Sequence, residues 1–157
     1  MRSAVVGIFT TPASGTALRS VVEAVLEPGK GVVGDRYYLG TGTFSGTLPI
    51  KPDAEVTLIE SEEIDRFNEI TKSSKTPGEF RRNIVTRGVR LNDLVGRRFL
   101  VGAALLEGIR LCEPCAHLAA LVSPAVVKTM VHRAGLRARI ISGAAIRTGD
   151  QIEVCAV

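Results

Sequence analysis

The chain has 157 residues, of which 45% are apolar, 23% charged and 4% aromatic. That length predicts one domain over residues 1–157, able to bury a core without disulfide or metal staples, and the apolar content excludes a disordered chain. No apolar run approaches the roughly 20 residues of a membrane span, and the stretch after Met1-Arg2 is too short for a signal peptide. A cytoplasmic protein with three reduced cysteines and no membrane partner is therefore expected.

The net charge of +4 hides an imbalance, because 15 of the 20 basic residues are Arg. Six of these (Arg81, Arg82, Arg87, Arg90, Arg97 and Arg98) fall between Glu79 and Arg98, against the two acids Glu79 and Asp93. A guanidinium presents a planar fork of donors suited to oxyanions, so a small anionic ligand or cofactor is the expected partner. Nucleic acid is not, since aromatics are sparse and no base-stacking motif is present. The plain alternative is a solvated, Arg-rich surface.

In chain order, Ala4 to Phe9 reads as a strand closed by a Thr/Pro/Ser/Gly turn, and Val21 to Leu26 as a second strand, with a helix as the alternative. Gly29 to Tyr38 opens a Gly/Thr-rich loop running to Thr47, either a plain surface loop or backbone suited to close approach by a ligand. Glu55 to Ile59 is a β-branched strand, and Ser61 with Glu62 and Glu63 starts a helix reaching Ile70. Lys72 to Gly78 is a loop, Asn83 to Thr86 a strand, and Leu91 to Gly96 a connector. Arg98 to Val101 and Ala104 to Leu111 are strands meeting near Gly102. Ser123-Pro124 starts a helix that runs to Arg133, with Gly135 as its stop. Arg137 to Ser142 is a strand, Gly143 to Gly149 a turn, and Asp150 to Val154 the closing strand. The pattern predicts a mostly β fold with two or three short helices, and its short, evenly spaced strands suggest a barrel.

Chemistry concentrates in Leu111-Cys112-Glu113-Pro114-Cys115-Ala116-His117-Leu118. A C-x-x-C pair serves as a redox couple, as half of a zinc site, or as two small core residues. A closed zinc site is not written locally, since the remaining candidates are Cys155 in an apolar strand and His132 on a helix. Cys115 follows Pro114 at a strand end, with His117 two residues on, a setting that suits either a reactive thiolate or a structural turn. The second constellation is Phe80-Arg81-Arg82-Asn83. Strand alternation puts Arg81 and Asn83 on one face and Arg82 on the other, giving an anion-binding edge or a salt-bridged surface strand. Asp35-Arg36 is either part of a pocket or a clamp on its own loop.

Taken in order, several segments resemble the MOSC domain family, named for the C-terminal domain of molybdenum-cofactor sulfurases. They are Gly31-Val32-Val33-Gly34-Asp35-Arg36-Tyr37, Val56-Thr57-Leu58-Ile59-Glu60, Phe80-Arg81-Arg82-Asn83-Ile84, Pro114-Cys115-Ala116-His117-Leu118, His132 to Ala138, and Gly149-Asp150. The resemblance covers most of the chain and implies a small stand-alone member with a pseudo-β-barrel. It also implies molybdenum-cofactor (molybdopterin) binding or sulfur transfer, with Cys115 as the catalytic, metal-ligating thiolate. Arg81 and Asn83 carry over as cofactor ligands, and Asp35, Arg36 and His117 as pocket residues. Where relatives often have His, this chain has Tyr after Asp35-Arg36. The implied function is a molybdenum centre that reduces N-hydroxylated small molecules with a separate electron donor. The alternatives are a persulfide carrier on Cys115 charged by a cysteine desulfurase, and a non-catalytic anion- or pterin-binding module.

Overall fold

The computed structural model describes residues 2–42 and 55–156. The elements are β1 (Ala4–Thr10), β2 (Arg19–Val21), β3 (Glu23–Glu27), β4 (Gly31–Val32), β5 (Val56–Glu60), α1 (Ser61–Thr71) and β6 (Ile84–Arg87). They continue with β7 (Arg98–Val101), β8 (Ala104–Leu111), α2 (Ala116–Leu121), α3 (Ala125–Thr129), β9 (Leu136–Ser142), β10 (Ala144–Arg147) and β11 (Ile152–Val154). Short 3₁₀ turns occupy Pro77–Phe80 and Leu91–Leu94. The fold is mostly β with three short helices, as the sequence predicts; the part of the Gly/Thr-rich loop beyond Gly42 lies outside the described residues.

Eight strands form one sheet in the order β11-β7-β8-β9-β5-β6-β1-β2, and three form a second, β10-β3-β4. All pairs are antiparallel except β5–β6. The expected barrel is not closed. At the seam, Val5 N–H donates to the Asp150 carbonyl, Gly149 N–H to the Val5 carbonyl and Ile152 N–H to the Ser3 carbonyl, each at 2.8 Å. These bonds bring the start of β1 to the approach to β11 around a lone Ala4–Gln151 bridge, without a ladder between the two strands.

The predicted strand Val21 to Leu26 is two strands. Val22 is exposed and breaks the run, so β2 pairs with β1 in the large sheet while β3 pairs with β10 in the small one. The turn expected over Gly143 to Gly149 contains β10, which completes that small sheet. The helix predicted from Ser123, α3, ends at Thr129, short of Arg133; beyond it His132 takes a left-handed backbone (φ 60°), which bars the helix from continuing to Arg133. Ser123 still caps its start, its Oγ accepting the Ala125 N–H at 3.3 Å.

Two cores flank β5 and β6. Val56, Leu58 and Ile84 join the layer between the two sheets, with Leu26, Val32, Leu106, Leu136 and Ile146. Ile59 and Val85 face the other way, under α1, α2 and α3, among Phe67, Phe80, Val126 and Met130. Burial on both faces explains why β5 is a continuous Val-Thr-Leu-Ile run and not an alternating one. Phe67 and Phe80 meet edge to face, ring centroids 5.3 Å apart, which fixes the 3₁₀ turn against α1.

Glu60 ends β5, its Oε2 accepting the Leu91 N–H at 3.2 Å. Burial is the main cause that raises its pKa above the ordinary carboxylate value, with Glu63 and Glu62 adding to it and the Leu91 bond and Arg90 opposing it. A carboxyl whose folded pKa is raised favours the folded state when protonated, so its contribution falls as pH climbs from about 4.3 through the raised value. In urea titrations, the stability of Glu60→Gln relative to the parent should therefore increase with pH across that window and then level off.

Candidate functional site

One end of the large sheet gathers a hollow lined by Arg36, Tyr37, Thr57, Arg81, Arg82, Cys112, Glu113, Cys115, His117, Leu118 and Arg137. Its volume is about 40 Å³, the size of a small anionic head and not of a whole cofactor. The residues arrive from the loop after β4, from β5, from the residues following the first 3₁₀ turn, from the β8–α2 junction and from β9.

Arg81 caps the 3₁₀ turn in the left-handed region (φ 64°), which turns its side chain inward before β6 begins at Ile84. It is 8% exposed, and its Nη1 donates to the Thr16 carbonyl at 2.7 Å. Its Nη2 is buried without a hydrogen-bond partner. Burial, followed by repulsion from Arg36, lowers its pKa from the ordinary guanidinium value. A buried donor left in that state is costly, and an anion oxygen is the ligand that would satisfy it.

Arg36 is anchored beside it. Its Nη1 donates to Asp35 Oδ1 and its Nη2 to the Arg81 carbonyl, both at 3.1 Å, and its guanidinium stacks 4.9 Å from the Tyr37 ring centroid. Asp35 stands behind the hollow and not in it: fully buried, its Oδ1 also accepts the Thr11 N–H at 3.1 Å. Asp35 thus sets the position of Arg36 and of the loop after β1.

Arg82 and Asn83 exchange the roles that alternation predicts, because residues 81–83 precede the strand and do not alternate as one. Arg82 lines the hollow, donating from Nε to the Ala134 carbonyl at 2.8 Å and from Nη2 to the Cys112 carbonyl at 3.1 Å. Asn83 is absent from the lining and is 2% exposed. Its Oδ1 accepts the Thr57 N–H at 3.2 Å and the Thr57 hydroxyl at 3.3 Å, while its Nδ2 donates to the Phe9 carbonyl at 3.2 Å. It is a rivet joining β1, β5 and β6.

Cys115 is exposed at the rim, immediately before α2, and its carbonyl accepts the Ala119 N–H at 2.9 Å. Cys112 is buried at 1% exposure, so the C-x-x-C pair divides into a core thiol and an accessible one; both are free. His117 lies on the first turn of α2 and lines the same hollow. Among the described residues no three His, Cys, Asp or Glu side chains form a group that could hold a bare metal ion. Of the sequence candidates, the structure thus brings Arg36, Arg81, Cys115 and His117 together and leaves Asp35 and Asn83 as supports. Sequence reasoning missed Tyr37, Thr57, Glu113 and Arg137 as lining; Thr57 and Arg137 are register partners on β5 and β9, a pairing no local motif announces.

The MOSC domain family model matches residues 45–153. The chain belongs to the MOSC domain family. MOSC domains are associated with molybdenum-cofactor binding. In fold, this MOSC chain is similar to the crystal structure of the YuaD protein from Bacillus subtilis, with a TM-score of 0.83 and 17% identity over 98% of this chain and 96% of that one. It is also similar to YiiM from Geobacillus stearothermophilus (TM-score 0.76, 17% identity, 98% and 75% covered) and YiiM from Escherichia coli (TM-score 0.71, 19% identity, 100% and 71% covered). At such identities the likeness carries the fold alone. No curated protein matches the sequence significantly. No helix among the described residues is long and apolar enough to cross a membrane.

Two substitutions separate frame from site. Asn83→Ala should cost roughly 1–3 kcal/mol in urea denaturation, because it strands the buried Thr57 N–H. Gly135→Ala should cost at least about 1–3 kcal/mol, since φ is 119° and the added Cβ would lie 2.1 Å from the Leu58 carbonyl oxygen.

Proposed function

We propose that the hollow of this MOSC domain binds the anionic, phosphate-bearing part of the molybdenum cofactor, and that the Cys115 thiolate ligates its metal. The observation that carries the reading is an accessible thiol at the rim of a hollow in which one lining guanidinium, Arg81, keeps a buried N–H without a partner. Arg81 and Arg36 supply the charge that would hold the anion, and Arg82 fixes the backbone from which Cys115 projects. His117, half-buried on the first turn of α2, adds an imidazole to the lining of the same hollow. Thiolate sulfur suits a metal already held by soft sulfur ligands. When bound, the cofactor supplies redox chemistry at the metal.

The activity assigned by this reading is reduction of an N-hydroxylated small molecule. Overall the N–O bond breaks, electrons come from a separate donor protein, protons come from water, and the oxygen leaves as water. Co-expression with cofactor biosynthesis under anaerobic conditions, followed by metal analysis, should find molybdenum in the parent protein and a severe loss in Cys115→Ser. Molybdenum-free parent protein from such cells overturns the reading.

A second reading, a sulfur carrier, is favoured by the same exposed free thiol. It requires one added sulfur by intact mass after incubation with a cysteine desulfurase and cysteine, abolished by Cys115→Ala. Under either reading the anion subsite is separable from the thiol. Arg81→Ala should weaken inorganic phosphate binding by roughly 1.5–3 kcal/mol in calorimetry, whereas Cys115→Ala should leave it intact.

A further inference from the structure

Glu113 is the one carboxylate among the residues lining the hollow, a lining it shares with Arg36, Arg81, Arg82 and Arg137. Left to turn inward, it would pair with those guanidinium groups and take the place of an anionic ligand. Both of its oxygens are instead engaged by one residue outside the lining. Oε1 accepts the His132 backbone N–H at 2.7 Å, and Oε2 meets His132 Nδ1 at 2.5 Å. The geometry of His132 is built for this contact: its backbone is left-handed, and its carbonyl accepts Asn92 Nδ2 at 2.9 Å. The side chains of His132 and Glu113 are 69% and 44% exposed, so the pair adds little to stability. Its significance is where it puts the charge.

We propose that His132 is a positioning residue for the hollow: it ties back the Glu113 carboxylate and so keeps the arginines open to an anion. The part of this inference that concerns ligand affinity rests on the anion-binding reading above; the electrostatic effect at Cys115 does not.

The test uses His132→Gly, which suits the left-handed backbone, together with Glu113→Gln and the double variant. The first readout is Cys115 alkylation, followed by peptide mass mapping, as the ratio of rates with anionic iodoacetate and neutral iodoacetamide. The second is affinity for inorganic phosphate. His132→Gly should lower the ratio and weaken phosphate binding, each by about two- to fivefold, the range of an exposed ion pair. Glu113→Gln should show neither loss, and adding His132→Gly to it should change nothing. An unchanged ratio in His132→Gly, or an equal fall in the double variant, overturns the proposal. If the ratio behaves as expected while the parent protein binds no phosphate, the clasp stands and the anion reading fails. If phosphate binds the parent and all three variants equally, the anion reading stands and the clasp fails.

Discussion

A guanidinium can hold two carbonyls at once without losing its charge, and Arg82 does so between the end of β8 and the approach to β9. One bond fixes Cys112, the other Ala134, and the Cys112 N–H reaches the Gly135 carbonyl beside them at 2.8 Å. The loop that carries Cys115 is thereby tied to the sheet at its root and released at its tip. Gly135 leaves room for this arrangement, since Leu58 occupies the space where any side chain would begin.

The rest of the site inherits its form from the two-sided burial of β5 and β6. With one face turned to the inter-sheet core and the other to the helices, these strands have no free face for polar groups. Chemistry collects where they enter the sheet and the backbone is irregular. There Asn83 and Thr57 satisfy each other, and Arg81 leaves the turn in a left-handed conformation that a strand forbids. The hollow lies at that margin, lined by four of the chain's arginines.

Much of this was legible in the chain. The run Val56 to Ile59, the Ser123-Pro124 helix start and the strand pairs around Gly102 follow from local preference, and the structure holds them. Cys115 and Arg81 could be singled out because their neighbours, Pro114 and the arginine run, change what the backbone and the field do there. Three features escaped for one reason: they are decided by partners distant in sequence. Val22 breaks its strand because β1 and β10 lie in different sheets. Ala144 to Arg147 forms a strand only because β3 is there to receive it. Asn83 is a rivet because Phe9 and Thr57 meet it, and alternation could not see that residues 81–83 lie outside the strand.

An open sheet has borders, and among the described residues these borders are brief. The outer strands β2 and β11 have three residues each, and in the small sheet β4 has two and β10 four. Arg19, Glu153 and Arg147 put charge on three of them. Such borders make poor templates for strand addition, which is how a sheet can stay open without sealing itself into a cylinder.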